Sequence, residues 1–203
     1  MSKVITLGVP LDQAKKVAIM IHGRGASAES IVSLRAYLDL DGFALIAPEA
    51  NGATWYPYSF MVQDEANASS LNSAIVQLEK IMDNLYSLGF KSDQIYFIGF
   101  SQGACLSLDF AARNAKKYGG VIAFTGGLIG EKINLSKYSG DFQATQIFIG
   151  SSHKDMHVPL HRIEESVKVL EEMGAKVHPM IFQDQEHTIR QDETEWVNKN
   201  ILS

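Results

Sequence analysis

Cysteine is almost absent from the chain. Cys105 is the only one in 203 residues, so no intrachain disulfide can form. Proline is scarce, and no internal repeat, low-complexity tract or linker interrupts the chain. No apolar run approaches the roughly 20 residues that a membrane-spanning helix needs. No Lys/Arg cluster appears, and the formal net charge is -5, which gives no electrostatic reason to expect nucleic acid. The opening stretch, residues 1–7, is too short and too soon interrupted for a signal peptide, so a cytoplasmic location is expected. What remains is a composition of 46% hydrophobic and 20% charged residues, which suits a folded protein. Residues 1–203 are expected to form a single domain with a sizeable core.

Strand-like and helix-like stretches alternate. Residues 17–21, 43–47, 94–98, 121–124, 146–149 and 177–182 are short apolar runs of the kind found in strands covered on both faces. Pro179 suggests an edge position or a bulge for the last of them. Helical spacing appears over 27–40, from Leu71 to Leu85, after Ala104, from Pro159 to Gly174 and around Trp196. Residues 49–66 read as a long loop rich in aromatics. The alternation predicts an α/β fold: a mostly parallel central sheet with helices on both faces. Ligands bind such sheets at the carboxyl ends of the strands.

Gly99-Phe100-Ser101-Gln102-Gly103 lies where a predicted strand turns into a predicted helix. Gly-x-Ser-x-Gly in that setting is a nucleophile elbow. A serine held in a tight turn projects its hydroxyl above the sheet, and the two flanking glycines leave room for the backbone. The helix that follows aims free N–H groups and its positive dipole end at the same point.

A serine hydroxyl needs an adjacent base. Six histidines are available, and His187, after the last strand, is the choice. His22 opens a glycine turn, where its ring packs or bonds loop backbone. His178 lies within a strand. His153, His157 and His161 share four-residue spacing, but Pro159 interrupts any common helical face, so no metal site is expected. Asp155, after the strand at 146–149, is placed to orient the base. It gives the order Ser, Asp, His of an α/β-hydrolase. Asp141 precedes that strand, at the wrong edge of the sheet, and Asp184 and Glu186 are too near His187 in sequence. Backbone N–H groups of Gln102 and Arg24 are the expected oxyanion donors. The Arg24 side chain could meet an acidic substrate group, but pairing with a surface carboxylate is the reading preferred.

Taken together, His22-Gly23-Arg24-Gly25, Gly99-Phe100-Ser101-Gln102-Gly103-Ala104, Asp155-Met156-His157-Val158-Pro159 and Glu186-His187 resemble the phospholipase/carboxylesterase family of α/β-hydrolases, which includes the acyl-protein thioesterases. The resemblance covers nearly the whole chain. It implies the same Ser101, Asp155 and His187, a compact α/β-hydrolase fold with minimal or no lid domain, and no cofactor. Arg24 departs from an aliphatic residue common in the family, and Glu186 from a common glycine. Glu186 either raises the pKa of its neighbour or faces solvent.

The expected reaction is hydrolysis of carboxylic esters with an apolar acyl group, through an acyl-enzyme. Lysophospholipase and acyl-protein thioesterase activities are the alternatives, and a non-catalytic binding protein is the reading from another class. The expected partner is a small-molecule ester or thioester, with no nucleic acid, no stable membrane insertion and a homodimer left open. Trp55, Phe60 and Met61 of the aromatic loop, with Leu128 after the strand at 121–124, are the expected substrate contacts. Cys105 is read as a small packed residue rather than a nucleophile.

Overall fold

The computed structural model describes residues 3–203. Seven strands form one sheet: β1 (Val4–Gly8), β2 (Lys16–Ile21), β3 (Phe43–Pro48), β4 (Ile95–Phe100), β5 (Gly120–Phe124), β6 (Gln146–Ser152) and β7 (Lys176–Phe182). Their order across the sheet is β1-β3-β2-β4-β5-β6-β7. Only β1 runs antiparallel to its neighbour. The strand that carries the elbow, β4, is therefore central, and β7 with its Pro179 stands at an edge.

The apolar runs form strands because both faces are covered. Val17, Ile19 and Ile21 pack in one core with α2 (Asp64–Ser87), α3 (Gln102–Arg113) and α4 (Leu160–Glu172). Ala18 and Met20 point to the other face, where Ile31 and Val32 of α1 (Ala28–Val32) and Val197 of α5 (Gln191–Val197) cover them. Alternate residues of one strand thus feed two cores, which a uniformly apolar strand requires.

Three elements differ from expectation. β1 is unexpected: it holds the apolar Val4, Ile5 and Leu7, but four of its five residues are exposed at the sheet edge. The helix expected over 27–40 stops at Val32 and tightens into a 3-10 turn, Ser33–Ala36. The Ser33 hydroxyl bonds the Ser30 carbonyl, and Asn198 captures both the Asp39 N–H and the Tyr37 carbonyl, holding that backbone out of a helix. α2 starts at Asp64, within the expected loop, and Asp64 and Glu65 suit its positive N-terminal end although apolar spacing begins only later.

Candidate active site

Ser101 follows β4, Asp155 follows β6 and His187 follows β7, so all three stand at the carboxyl edge of the parallel sheet. The sequence places Ser101 there by a steric constraint. Its φ of 54° and ψ of -117° are costly for a residue with a side chain. The neighbours hold it in place. A Cβ on Gly99 would sit 2.3 Å from the Gly103 carbonyl oxygen, and one on Gly103 would sit 2.0 Å from that of Ile21. Only glycine at both positions lets α3 start this close to β2 and β4.

The Ser101 hydroxyl lies 2.8 Å from Nε2 of His187. Nδ1 of the same ring lies 2.7 Å from Oδ2 of Asp155. The other oxygen of Asp155 accepts the backbone N–H groups of His157 at 2.7 Å and Val158 at 2.9 Å. Asp155 is 6% exposed, so this carboxylate is buried with all its partners supplied by the protein. A carboxylate can only accept, which puts the ring proton on Nδ1 and leaves Nε2 free to accept from serine. The rings of Phe100 and His157 flank the imidazole at centroid distances of 5.2 and 4.9 Å.

The loop that carries His187 is itself tied down. The Ser152 hydroxyl donates to the Glu186 carbonyl at 2.5 Å, and Arg190 donates to Ser152 Oγ and Asp184. Asp184 is therefore engaged with Arg190 and its carboxyl lies below the usual range, held there first by the Glu186 N–H. Glu186 is exposed, its side chain facing solvent. His22, whose Nε2 accepts the Ala50 N–H at 3.0 Å, is engaged with loop backbone as expected. His178 stacks on Trp196 at 3.9 Å. Among the described residues no group of His, Cys, Asp and Glu could hold a metal ion.

Gly23, in the turn after β2, lies against the elbow: a Cβ there would be 3.5 Å from Ser101 Cβ. The next amide is Arg24 N–H. Among the described residues neither it nor the Gln102 N–H donates to a protein acceptor, whereas the Gly25 N–H is spent on Ala53.

Ser101 and His187 open into a cleft of about 600 Å³. Its buried wall includes Tyr56, Phe60, Cys105 and Val158, and its rim includes Arg24, Tyr58 and Met156. Phe60 is thus where it was expected. Trp55, Met61 and Leu128 are corrections, because none of them lines this cleft. Trp55 turns inward, donating its Nε1–H to the His22 carbonyl at 2.8 Å. Met61 packs half-buried against the core beneath the loop. Leu128 is fully buried, its N–H held by Ser166 and its carbonyl by Arg162. Burial pushes the Cys105 thiol up to about 12, which makes it a packed thiol and not a nucleophile.

Sequence reasoning missed the side chains that fix the aromatic loop. Gln102 Oε1 accepts the Trp55 N–H at 2.9 Å, and its Nε2 donates to the Tyr56 carbonyl at 2.8 Å. Arg24 donates to the Pro57 and Tyr58 carbonyls, each at 2.6 Å. Asn67 accepts from the Tyr58 N–H and donates to the Ser59 carbonyl. Three polar side chains from three elements therefore clamp five consecutive residues. Among the described residues the expected surface ion pair of Arg24 does not form; two of its guanidinium N–H groups go to the loop backbone instead. The only local signal was a Gln inside the elbow and an Asn in an otherwise apolar helix face.

No helix among the described residues is long and apolar enough to cross a membrane. Comparison with known proteins agrees with the geometry. The crystal structure of a phospholipase/carboxylesterase from Dyadobacter fermentans superposes with a TM-score of 0.98 at 46% identity, covering 100% of this chain and 97% of that one. A Bacillus cereus carboxylesterase shares the fold at a TM-score of 0.73 and 16% identity, covering 98% of this chain and 92% of that one. Acyl-protein thioesterase 1 of Saccharomyces cerevisiae is 28% identical over 179 residues, 77% of each chain. The sequence pattern of the phospholipase/carboxylesterase family matches residues 5–202. The chain belongs to that family of α/β-hydrolases and is a serine hydrolase of carboxylic esters.

Proposed function

We propose that Ser101, His187 and Asp155 carry the hydrolysis, and that the Arg24 and Gln102 amides form the oxyanion hole, on one domain spanning residues 1–203. The observation that carries this reading is the unbroken hydrogen-bonded relay from Ser101 Oγ through His187 to Asp155. Ser101 Oγ attacks the acyl carbon while His187 Nε2 takes its proton. Asp155 holds the ring in the required tautomer and stabilises the imidazolium that forms. Negative charge gathers on the former carbonyl oxygen, where the two free amides receive it. Collapse of the tetrahedral intermediate expels the alcohol or thiol, which takes the proton from His187. Water then attacks the acyl-enzyme with His187 again as base, and Ser101 is regenerated.

The Tyr56 ring, Phe60 and Val158 offer a largely apolar wall for the acyl group, and the clamped loop keeps that wall preformed. A small-molecule carboxylic ester in the cytoplasm is the substrate class this supports best. The acyl-protein thioesterase relative favours thioesters as the second reading. Turnover of 4-nitrophenyl butyrate by Ser101→Ala tests the assignment. It should fall by roughly 10^4-fold or more while the protein stays folded. Activity at the wild-type level would end it.

A further inference from the structure

We propose that Arg24 makes the rim of the cleft an anion subsite, and that the preferred ester or thioester carries a carboxylate or phosphate on its alcohol or thiol part. The inference rests on the hydrolase reading and adds to it a substrate class. Four observations carry it.

Arg24 lines the same cleft as Ser101 and His187, and it is exposed. Among the described residues no carboxylate pairs with it; the ion pairs of the structure lie elsewhere. Its contacts to the Pro57 and Tyr58 carbonyls use two of the five guanidinium N–H groups and leave three for a ligand. Those contacts are to neutral acceptors, so the charge itself is not neutralised. Finally, no Asp or Glu lines the cleft in a protein of net charge -5. The nearest carboxylate, Asp155, lies behind His187 and is engaged by His187, His157 and Val158, so the charged side chain that lines this mouth with its charge unpaired is Arg24.

The geometry also says which part of the substrate bears the charge. The inner wall is closed, and apolar apart from the Tyr56 hydroxyl and the Cys105 thiol: Tyr56 is 1% exposed, Val158 2% and Phe60 6%. An anion placed there would be desolvated with no cationic side chain beside it. The rim, with exposed Arg24, Tyr58 and Met156, remains wet. An acyl chain therefore fits the wall, and the leaving group meets the rim. A guanidinium held in place by two hydrogen bonds is preorganised to take a planar carboxylate or a phosphate oxygen.

Three butyrate esters of matched shape test this: those of 3-hydroxybenzamide, 3-hydroxybenzoate and 3-hydroxyphenyl phosphate. The wild type should favour one or both anionic esters over the neutral one by about tenfold in kcat/KM. That preference should shrink in 0.5 M NaCl, since the screening length for exposed charges falls to about 4 Å at such ionic strength. Which anionic ester leads separates carboxylate from phosphate recognition. Arg24→Gln should bring the ratio to about one, and Arg24→Lys should keep part of it. Both substitutions loosen the loop and lower all the rates, so the ratio within each variant is what counts. A wild-type ratio of one or less overturns the proposal, and so does an unchanged ratio in Arg24→Gln. If that variant does not fold, the wild-type ratio and its salt dependence decide alone. Calorimetric binding of the same esters to Ser101→Ala separates the two claims. Turnover without any anionic preference sinks the subsite and leaves the hydrolase. Anionic binding without turnover by the wild type sinks the hydrolase and leaves the subsite.

Discussion

The Ser152 hydroxyl, on the last residue of β6, donates to the carbonyl of Glu186, the residue immediately before His187. The end of one strand thereby fixes the loop that follows the next. Arg190 donates to the same hydroxyl and secures it from the other side.

Ser152→Ala should therefore act through the position of His187. It removes two part-buried hydrogen bonds, from Ser152 to the Glu186 carbonyl and from Arg190 to Ser152, a change of about 1–3 kcal/mol in stability. The ring then samples poses away from Ser101. We expect kcat for a short aryl ester to drop about tenfold with KM nearly unchanged, and Ser152→Thr to restore most of it. Equal changes in both variants would show that the hydroxyl does not position the base.

Asp155→Asn should be far more damaging than its size suggests. Oδ1 is pinned by the His157 and Val158 N–H groups, so the new amide nitrogen must face His187 Nδ1. Nδ1 is then forced to accept, and the proton moves to Nε2, where it blocks removal of the serine proton. A loss of about 10^4-fold in kcat is expected, as in serine-protease triads. Circular dichroism should show the fold intact.

Gln102→Glu tests the loop clamp without touching the Gln102 backbone amide. The carboxylate keeps the acceptor for Trp55 N–H but points an oxygen at the Tyr56 carbonyl. The fold should lose about 1–3 kcal/mol in urea titration. KM should rise more for long acyl esters than for acetate esters, because the wall they use is loosened.

Glu193 gives the protein a pH dependence unrelated to catalysis. It is fully buried on α5, and burial raises its carboxyl from 4.5 to about 7. The folded state thus holds a proton that the unfolded chain releases at lower pH. Stability is highest below the unfolded value and is lost as pH rises from 4.5 through about 7. Glu193→Gln keeps an acceptor for the Arg190 N–H and removes the charge. Relative to wild type it should gain up to about 3 kcal/mol at pH 8 and almost nothing at pH 4.5. Thermal melts of both proteins across that range check the sign.

The fold and the three-residue relay were legible because each left a strong local mark. Val17 to Ile21 and Phe97 with Ile98 are apolar on both faces, which only interior parallel strands require. Gly99 and Gly103 bracket Ser101 because nothing larger fits. β1 was missed although Val4, Ile5 and Leu7 are apolar, because it is short and lies at an exposed edge, where four of its five residues meet solvent. The end of α1 was hidden because its cause, Asn198, lies 159 residues away from Asp39. Trp55 was misplaced for a similar reason: an aromatic loop residue can face substrate or core, and the His22 carbonyl that draws it inward is distant in sequence. The roles of Gln102 and Asn67 as clamps depend on backbone groups whose positions no local pattern encodes.

Covalent labelling by a fluorophosphonate probe, read by mass spectrometry of the digested protein, tests the nucleophile directly. The account predicts one adduct, on the peptide containing Ser101, formed fast in the wild type and at least about 10^3-fold more slowly in His187→Ala. An unlabelled folded wild type, or an adduct on another residue with Ser101 unmodified, would contradict it.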